Sequence, residues 1–252
     1  MRQTRGFTLI EMAIVLVIIT ILIGGLAMPL SAQIQARRIA ETRADMRAIH
    51  DALIGYAMSH TIMFDLDGDG TAETVRHFLP CPDDGSGPQI GEEGARHPTT
   101  RQCGSMRGTL PWRTLGVEDA DVWGQRYTYA VTPDFTDGDD GFISTPTSTA
   151  GTLRVHASGT CSGASVANAV AVVIVSHGPN GRGARNKNGG TPLAATAVPF
   201  DERRNLPVPS AVAPCTNIDF VSHAPDENFD DLVTWLSPNM LFNRLCPSGG
   251  CL

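Results

Sequence analysis

The sequence is poor in charge and in aromatic residues, and it has no Cys-x-x-Cys pair. Charged residues make up 18% of its 252 positions and aromatic residues 6%. With 42% hydrophobic residues and a net charge of only −7, generic disorder is excluded, because a chain of this length has the means to bury a core. The 19 Lys and Arg against 26 Asp and Glu argue against wholesale nucleic-acid binding. The wide cysteine spacing excludes zinc-ribbon and thioredoxin-like chemistry. Ser176-His177 precedes a glycine-rich stretch, but it lacks the glycine frame of a nucleophile elbow and the terminal Lys-Ser/Thr of a phosphate loop. His50, His60, His77, His97, His156, His177 and His223 are scattered without metal-ligand spacing. Neither an internal repeat nor a nucleophile–base set stands out, so enzymatic activity is not expected.

What charge there is divides unevenly. Residues 1–50 hold Arg2, Arg5, Arg37, Arg38, Arg43 and Arg47 against Glu11, Glu41 and Asp45, a balance of +3 that leaves −10 for the rest. Residues 12–30 are 19 positions without a charged side chain. At helical rise they span roughly 29 Å, close to the hydrocarbon thickness of a bilayer. Arg2 and Arg5 precede this run, so the positive-inside rule keeps the N-terminus cytoplasmic and sends the remainder outward. A cleaved secretory signal would have a shorter apolar core followed by a small-x-small site; here an amphipathic helix follows without a break.

Glu11 is the single charge between Phe7 and Ala36. A carboxylate at the bilayer centre costs about 2.5–3.5 kcal/mol on insertion scales, less near the edge, and such residues are usually functional. It stands one helical turn after Phe7. Cutting the chain between Gly6 and Phe7 would place a charged amine at that first turn, as a partner for Glu11 in the same chain or in a neighbour.

Arg5-Gly6-Phe7-Thr8-Leu9-Ile10-Glu11, with the apolar run behind it, resembles the class III leader of type IV pilins and type II secretion pseudopilins. The resemblance implies cleavage after Gly6 by prepilin peptidase, N-methylation of Phe7, and pairing of Glu11 with a neighbouring subunit's amine during assembly. It implies other pilin or pseudopilin subunits and an inner-membrane assembly platform as partners. The expected location is the bacterial inner membrane, single-pass, with a periplasmic head, and then a pilus or pseudopilus. Gly24, Gly25 and Pro29 weaken the apolar helix, predicting a kink or a locally melted stretch.

Residues 34–57 keep an approximate helical period through Ile34, Ile39, Met46, Ile49, Leu53, Ile54 and Ala57, interleaved with charge. One helix is predicted from about residue 8 to about residue 58. Arg37, Arg38, Arg43 and Arg47 read mostly as a solvated face, too few on an acidic protein to argue DNA uptake. Beyond residue 60, residues 127–132, 152–157, 169–175, 218–221 and 231–236 read as strands. Ser237-Pro238 opens a short helix through Leu245, and residues 178–190 and 192–214 read as loops. The expected fold class is α+β: a long N-terminal helix, transmembrane in its first half and amphipathic in its second, packed on an antiparallel sheet head with long loops. The expected organisation is leader 1–6, transmembrane helix 7–30, amphipathic stalk 31–60 and head 61–252.

Within the head, Leu79-Pro-Cys-Pro82, residues 108–116 around Trp112, residues 121–127, residues 176–184 and residues 229–237 form an ordered series. The series resembles one group of bacterial prepilin-like proteins. Its Trp and Pro read as packing, its Gly and Asp as turns.

Asp65, Asp67, Asp69, Thr71 and Glu73 place oxygen donors at alternate loop positions, with Gly70 for the turn. Arg76 stands where an EF-hand would need its last Glu. The loop resembles the shorter DxDxDGxx(D/E) loops of extracellular proteins, and a structural Ca2+ is expected there rather than Mg2+ because of the number of protein oxygens. Asp134, Asp137, Asp139 and Asp140 read as a solvated turn. The six cysteines, Cys81, Cys103, Cys161, Cys215, Cys246 and Cys251, lie beyond the apolar run, in a compartment where disulfides persist. Many pairings are possible; the sequential one, Cys81–Cys103, Cys161–Cys215 and Cys246–Cys251, is expected, each bond contributing about 2–4 kcal/mol. The expected function is a minor pilin or pseudopilin subunit. The alternative is a calcium-dependent adhesin or substrate-binding tip pilin.

Overall fold

The computed structural model of the chain describes residues 6–65, 70–71, 74–142, 150–163, 165–189, 194–208 and 215–245, without the side chains of residues 24–30, 64 and 74. Two compact units divide it, residues 1–42 and 43–252. Helix α1 (Leu9–Ser59) begins in the first and ends in the second.

Over residues 12–23, in the first unit, α1 is apolar all round. Every large hydrophobic side chain of residues 9–23 is at least 44% exposed, including Ile10, Leu16, Val17, Ile21 and Ile23. A helix hydrophobic on every face needs an apolar surrounding. Thr20, its one hydroxyl in that stretch, is neutralised internally: Oγ1 donates to Leu16 O at 2.7 Å and to Val17 O at 3.0 Å. Among the described residues no helix is long and apolar enough to cross a membrane. The side chains of Gly24, Gly25 and Pro29, with the rest of the expected span, lie outside them.

In the second unit α1 becomes one-sided. Met46, Ile49, Leu53, Tyr56 and Ala57 are buried at a helical spacing, while Arg43 and Arg47 between them are exposed. The helix packs on antiparallel sheet. Its last turn is closed by His60 N–H donating to Tyr56 O at 2.9 Å, with the Tyr56 and His60 rings stacked 3.9 Å apart. The ring of His77, 2.8 Å away, takes the Ala57 carbonyl that the helix leaves unpaired.

Nine strands in the described residues form three sheets. β1 (Thr61–Phe64) and β2 (Thr74–His77) make an antiparallel pair. β3 (Arg107–Thr109), β4 (Thr128–Val131), β7 (Val172–Ser176) and β9 (Leu232–Leu236) make an antiparallel sheet in that order. β6 (Ser165–Val170), β5 (Leu153–His156) and β8 (Asp219–Val221) form the third, in which β5 and β8 run parallel. The head is therefore not antiparallel throughout. A parallel pair needs a long crossover, and residues 157–218 between β5 and β8 supply it.

The core joins these sheets. Ala130, Val173 and Val175 of the four-stranded sheet meet Leu153, Val155, Val170 and Phe220 of the mixed sheet, all at most 2% exposed. The apolar run at residues 169–175 is two strands, not one. Ala169 has φ +53° and Ala171 separates β6 from β7, so the chain leaves one sheet and enters the other within a single valine-rich run. Residues 192–214, read as loop, contain the 3-10 turns Ala195–Ala197 and Glu202–Asn205.

Arg107 fastens β3 to this crossover. Its guanidinium lies 3.7 Å over the Phe220 ring and donates to the carbonyls of Arg204, Leu206 and Asp219 at 2.9, 3.3 and 3.3 Å. Burial pushes its pKa down to about 9 against the opposing pull of Asp219. The short helix α2 (Trp112–Leu115) packs Trp112 over Gly91, which has φ +89°; a Cβ at Gly91 would fall 2.2 Å from the indole, so only glycine fits. Helix α3 (Pro238–Leu245) is capped by Ser237, whose Oγ accepts from Met240 N–H at 3.3 Å.

Candidate functional site

The N-terminal site is built around the start of α1. Gly6 and Phe7 precede the helix and are exposed, with nothing within 4 Å of a Cβ placed on Gly6. Thr8 is the residue before the helix, and Glu11 is its third helical residue. Glu11 Oε2 accepts from Thr8 N–H and from Thr8 Oγ1, each at 2.8 Å, while Glu11 N–H reaches Thr8 Oγ1 at 3.4 Å. This is a reciprocal capping box, and it holds the carboxylate against the backbone one residue beyond the Gly6–Phe7 bond. The pattern Thr-x-x-Glu was legible in the sequence and marks Thr8 as a positioning residue that the leader motif alone does not single out.

Of the expected calcium loop, Asp65 and Thr71 are described; Asp67, Asp69 and Glu73 lie outside the described residues. Asp65 Oδ2 accepts from Gly70 N–H at 2.7 Å. Cys81 is bonded to Cys103 and Cys161 to Cys215. Cys246 and Cys251 lie outside the described residues.

The head motifs converge on a polar interior. Asp121 Oδ1 accepts from Trp123 N–H and Gln125 N–H at 3.0 and 2.9 Å, and its Oδ2 takes the Ser176 hydroxyl at 2.6 Å. Burial raises the Asp121 carboxyl, and those three hydrogen bonds oppose the rise. His177 Nε2 and Thr128 Oγ1 share a hydrogen bond of 2.7 Å, and His177 Nδ1 lies 3.8 Å from Asp231 Oδ1. Hydroxyl, imidazole and carboxylate stand in a row, yet Thr128 is 1% and His177 0% exposed. Burial pushes the His177 ring down to about 4, so it is neutral. Ser176 serves Asp121 and not the imidazole, and the row is sealed from any substrate.

Among the described residues, two groups of side chains come close enough to share a cation. His156, Cys161 and Asp219 do so on distance alone. The sulfur of Cys161 is committed to its disulfide, and Asp219 is already met by His156 at 2.8 Å and Arg154 at 2.9 Å. Those basic partners occupy the position a cation would take. The other group is Glu202, Asp230 and Asp231, with His177 Nδ1 3.8 Å from Asp231 and Arg182 acting on Glu202 and Asp230 from further off; among the described residues no Lys or Arg is within ion-pair distance of it. Asp230 and Asp231 sit in the head series, where they read as turn and strand; Glu202, in a stretch read as loop, carried no sequence signal.

Residues 1–27 match the family model described as the prokaryotic N-terminal methylation motif. Neither the curated proteins nor the solved structures contain a match to the chain. The head lies outside the matched residues and rests on its own geometry. Over those residues the chain carries the methylation motif, and there it is similar to type IV pilins and pseudopilins.

Proposed function

We propose that the chain is a filament subunit, a minor pilin or pseudopilin, anchored in the bacterial inner membrane with its head in the periplasm before assembly. The observation that carries this reading is the methylation motif over residues 1–27, supported by the Thr8–Glu11 capping box at its cleavage point. Prepilin peptidase would cut after Gly6, where the chain is exposed and outside the helix. The new α-amine on Phe7, protonated at neutral pH, would then stand next to the carboxylate that Thr8 already holds in place. Glu11 Oε2 is engaged by Thr8, and the carboxylate's remaining acceptor capacity is what a neighbouring subunit's amine would take. The exposed apolar side chains of residues 9–23 call for lipid first and for other subunits' helices afterwards. Two disulfides suit a head that folds outside the reducing cytoplasm.

The test is mass spectrometry of the protein recovered from membranes and from sheared filaments, beside a Glu11→Ala form. The mature chain is expected to begin at Phe7 with one added methyl group, and Glu11→Ala is expected to be processed yet absent from filaments. An unprocessed Met1 start, or normal incorporation of Glu11→Ala, would overturn the proposal.

A further inference from the structure

We infer that the head holds a structural divalent cation, best matched by Ca2+, between the carboxylates of Glu202, Asp230 and Asp231. Glu202 comes from the 3-10 turn Glu202–Asn205, and the two Asp from the residues leading into β9. One oxygen from each lies within 4.8 Å of the others. Oxygens that share a Ca2+ at 2.3–2.6 Å stand at most about 5 Å apart, so the three fit one ion.

The hydrogen bonds show a repeated division of labour. Glu202 Oε1 accepts from Asn180 Nδ2 at 2.7 Å and from Asp230 N–H at 3.2 Å. Asp230 Oδ2 accepts from Asn180 N–H at 3.0 Å, and Asp231 Oδ2 accepts from Asn205 Nδ2 at 2.8 Å. In each carboxylate one oxygen is held by donors. The other, Glu202 Oε2, Asp230 Oδ1 or Asp231 Oδ1, is buried with no donor at all. A fourth buried atom, His177 Nδ1, is likewise unpartnered and lies 3.8 Å from Asp231 Oδ1. Glu202 is 0%, His177 0% and Asp231 4% exposed. Buried oxygen and nitrogen atoms without partners cost on the order of 1–3 kcal/mol each, more when charged. Four of them in one place require something to face.

That something is positive. Among the described residues no Lys or Arg forms an ion pair with any of the three carboxylates. Arg182 acts on Glu202 and Asp230 only from beyond ion-pair distance, and three carboxylates with oxygens within 4.8 Å of one another concentrate negative charge in a buried place. Protons or a cation must offset this charge. The oriented, half-free oxygens favour a cation, because a proton would need its own acceptor among them. Gly178, with φ +59°, closes the site: a Cβ there would fall 2.4 Å from Asp230 O and 2.6 Å from Asp230 Oδ1, so the loop after β7 can come this near only with glycine. Donors drawn from separate segments suit the flexible coordination of Ca2+ better than the strict octahedron of Mg2+. The ion would tie the Glu202–Asn205 turn to the start of β9, with the 178–180 loop closing over it, and it is separate from the loop at residues 65–73.

The experiment uses the full chain in detergent, stripped with EDTA and dialysed against Ca2+, with bound metal counted and thermal unfolding followed by tryptophan fluorescence. Ca2+ is expected to raise Tm. Glu202→Gln and Asp231→Asn are each expected to remove one bound equivalent, or to weaken it at least about tenfold. In EDTA both variants should be as stable as the parent or more so, since each removes a buried charge; this separates loss of the ion from loss of the fold. Asp65→Asn with Asp67→Asn serves as the control and should leave this equivalent in place. A parent chain indifferent to Ca2+, or variants that bind and respond as the parent does, would overturn the site. A response to Mg2+ alone would overturn the choice of ion.

Discussion

His177 offers a measurement that reads one side chain inside the folded head. Free histidine takes its proton near pH 6.5, whereas burial pushes this ring down to about 4. Above pH 6.5 the ring is neutral in both states and contributes no pH dependence. As pH falls from 6.5 toward 4, the unfolded chain binds a proton that the folded chain refuses, so stability is lost across that window and levels off below it. A displacement of this size corresponds to about 3 kcal/mol, at about 1.4 kcal/mol per pH unit. His50 is also pushed down to about 4, chiefly by burial with Asp51 opposing, and adds a loss of the same sign. Carboxylates add their own terms. A difference between parent and His177→Gln removes everything except the one ring, and Gln can keep the hydrogen bond to Thr128 Oγ1. The assay is urea unfolding of the full chain in detergent, at fixed Ca2+, between pH 7.5 and 4.5. All three tryptophans lie in the second unit and report its unfolding. The parent curve is expected to fall more steeply than the variant by about one proton's worth between pH 6.5 and 4. Parallel curves would refute the reasoning, because they would mean that His177 accepts its proton in the folded state, as an ion pair with Asp231 would allow.

Arg107→Ala leaves three carbonyl oxygens without their donor and opens space over Phe220; a loss of about 3 kcal/mol or more is expected in the same unfolding assay. Replacing Cys161 and Cys215 by Ser is expected to cost about 4 kcal/mol, against about 3 for Cys81 and Cys103, because the chain closed by the first pair is longer, 54 residues against 22.

The elements with strong periodicity were legible in the sequence. The long helix announced itself by its apolar stripe and ends at Ser59; β4, β5, β7, β8 and β9 lie in runs rich in valine and aromatics, and α3 in its Ser-Pro start. The elements that escaped are short or polar. β3 is Arg-Gly-Thr, which has no pattern to find, and its burial comes from neighbours supplied by distant chain. β6 alternates only weakly, and its division from β7 depends on one alanine with positive φ, a conformation no propensity assigns to alanine. The site divided the same way. Gly6, Phe7 and Glu11 stand in one contiguous motif, so spacing alone brings them out. Glu202 meets Asp230 and Asp231 only because the crossover between β5 and β8 folds back on β9, a long-range pairing that single-sequence periodicity does not encode.

Beside its buried apolar stripe, the end of α1 has a polar tie to the loop that Cys81 and Cys103 close. Tyr56 Oη donates to Glu93 Oε1 at 3.2 Å, and Glu93 Oε2 accepts from Cys81 N–H at 3.2 Å and from Arg96 at 3.1 Å. A pull along the helix axis therefore reaches, through Tyr56 and Glu93, the loop that Cys81 and Cys103 close. With the bond intact, that loop cannot lengthen under tension. The sequence separation of 22 between the two cysteines represents about 75 Å of extended chain, a hidden length that reduction would release. The disulfide is then a mechanical stop as well as a thermodynamic staple: it fixes how far the head can yield to a load before its sheets begin to part.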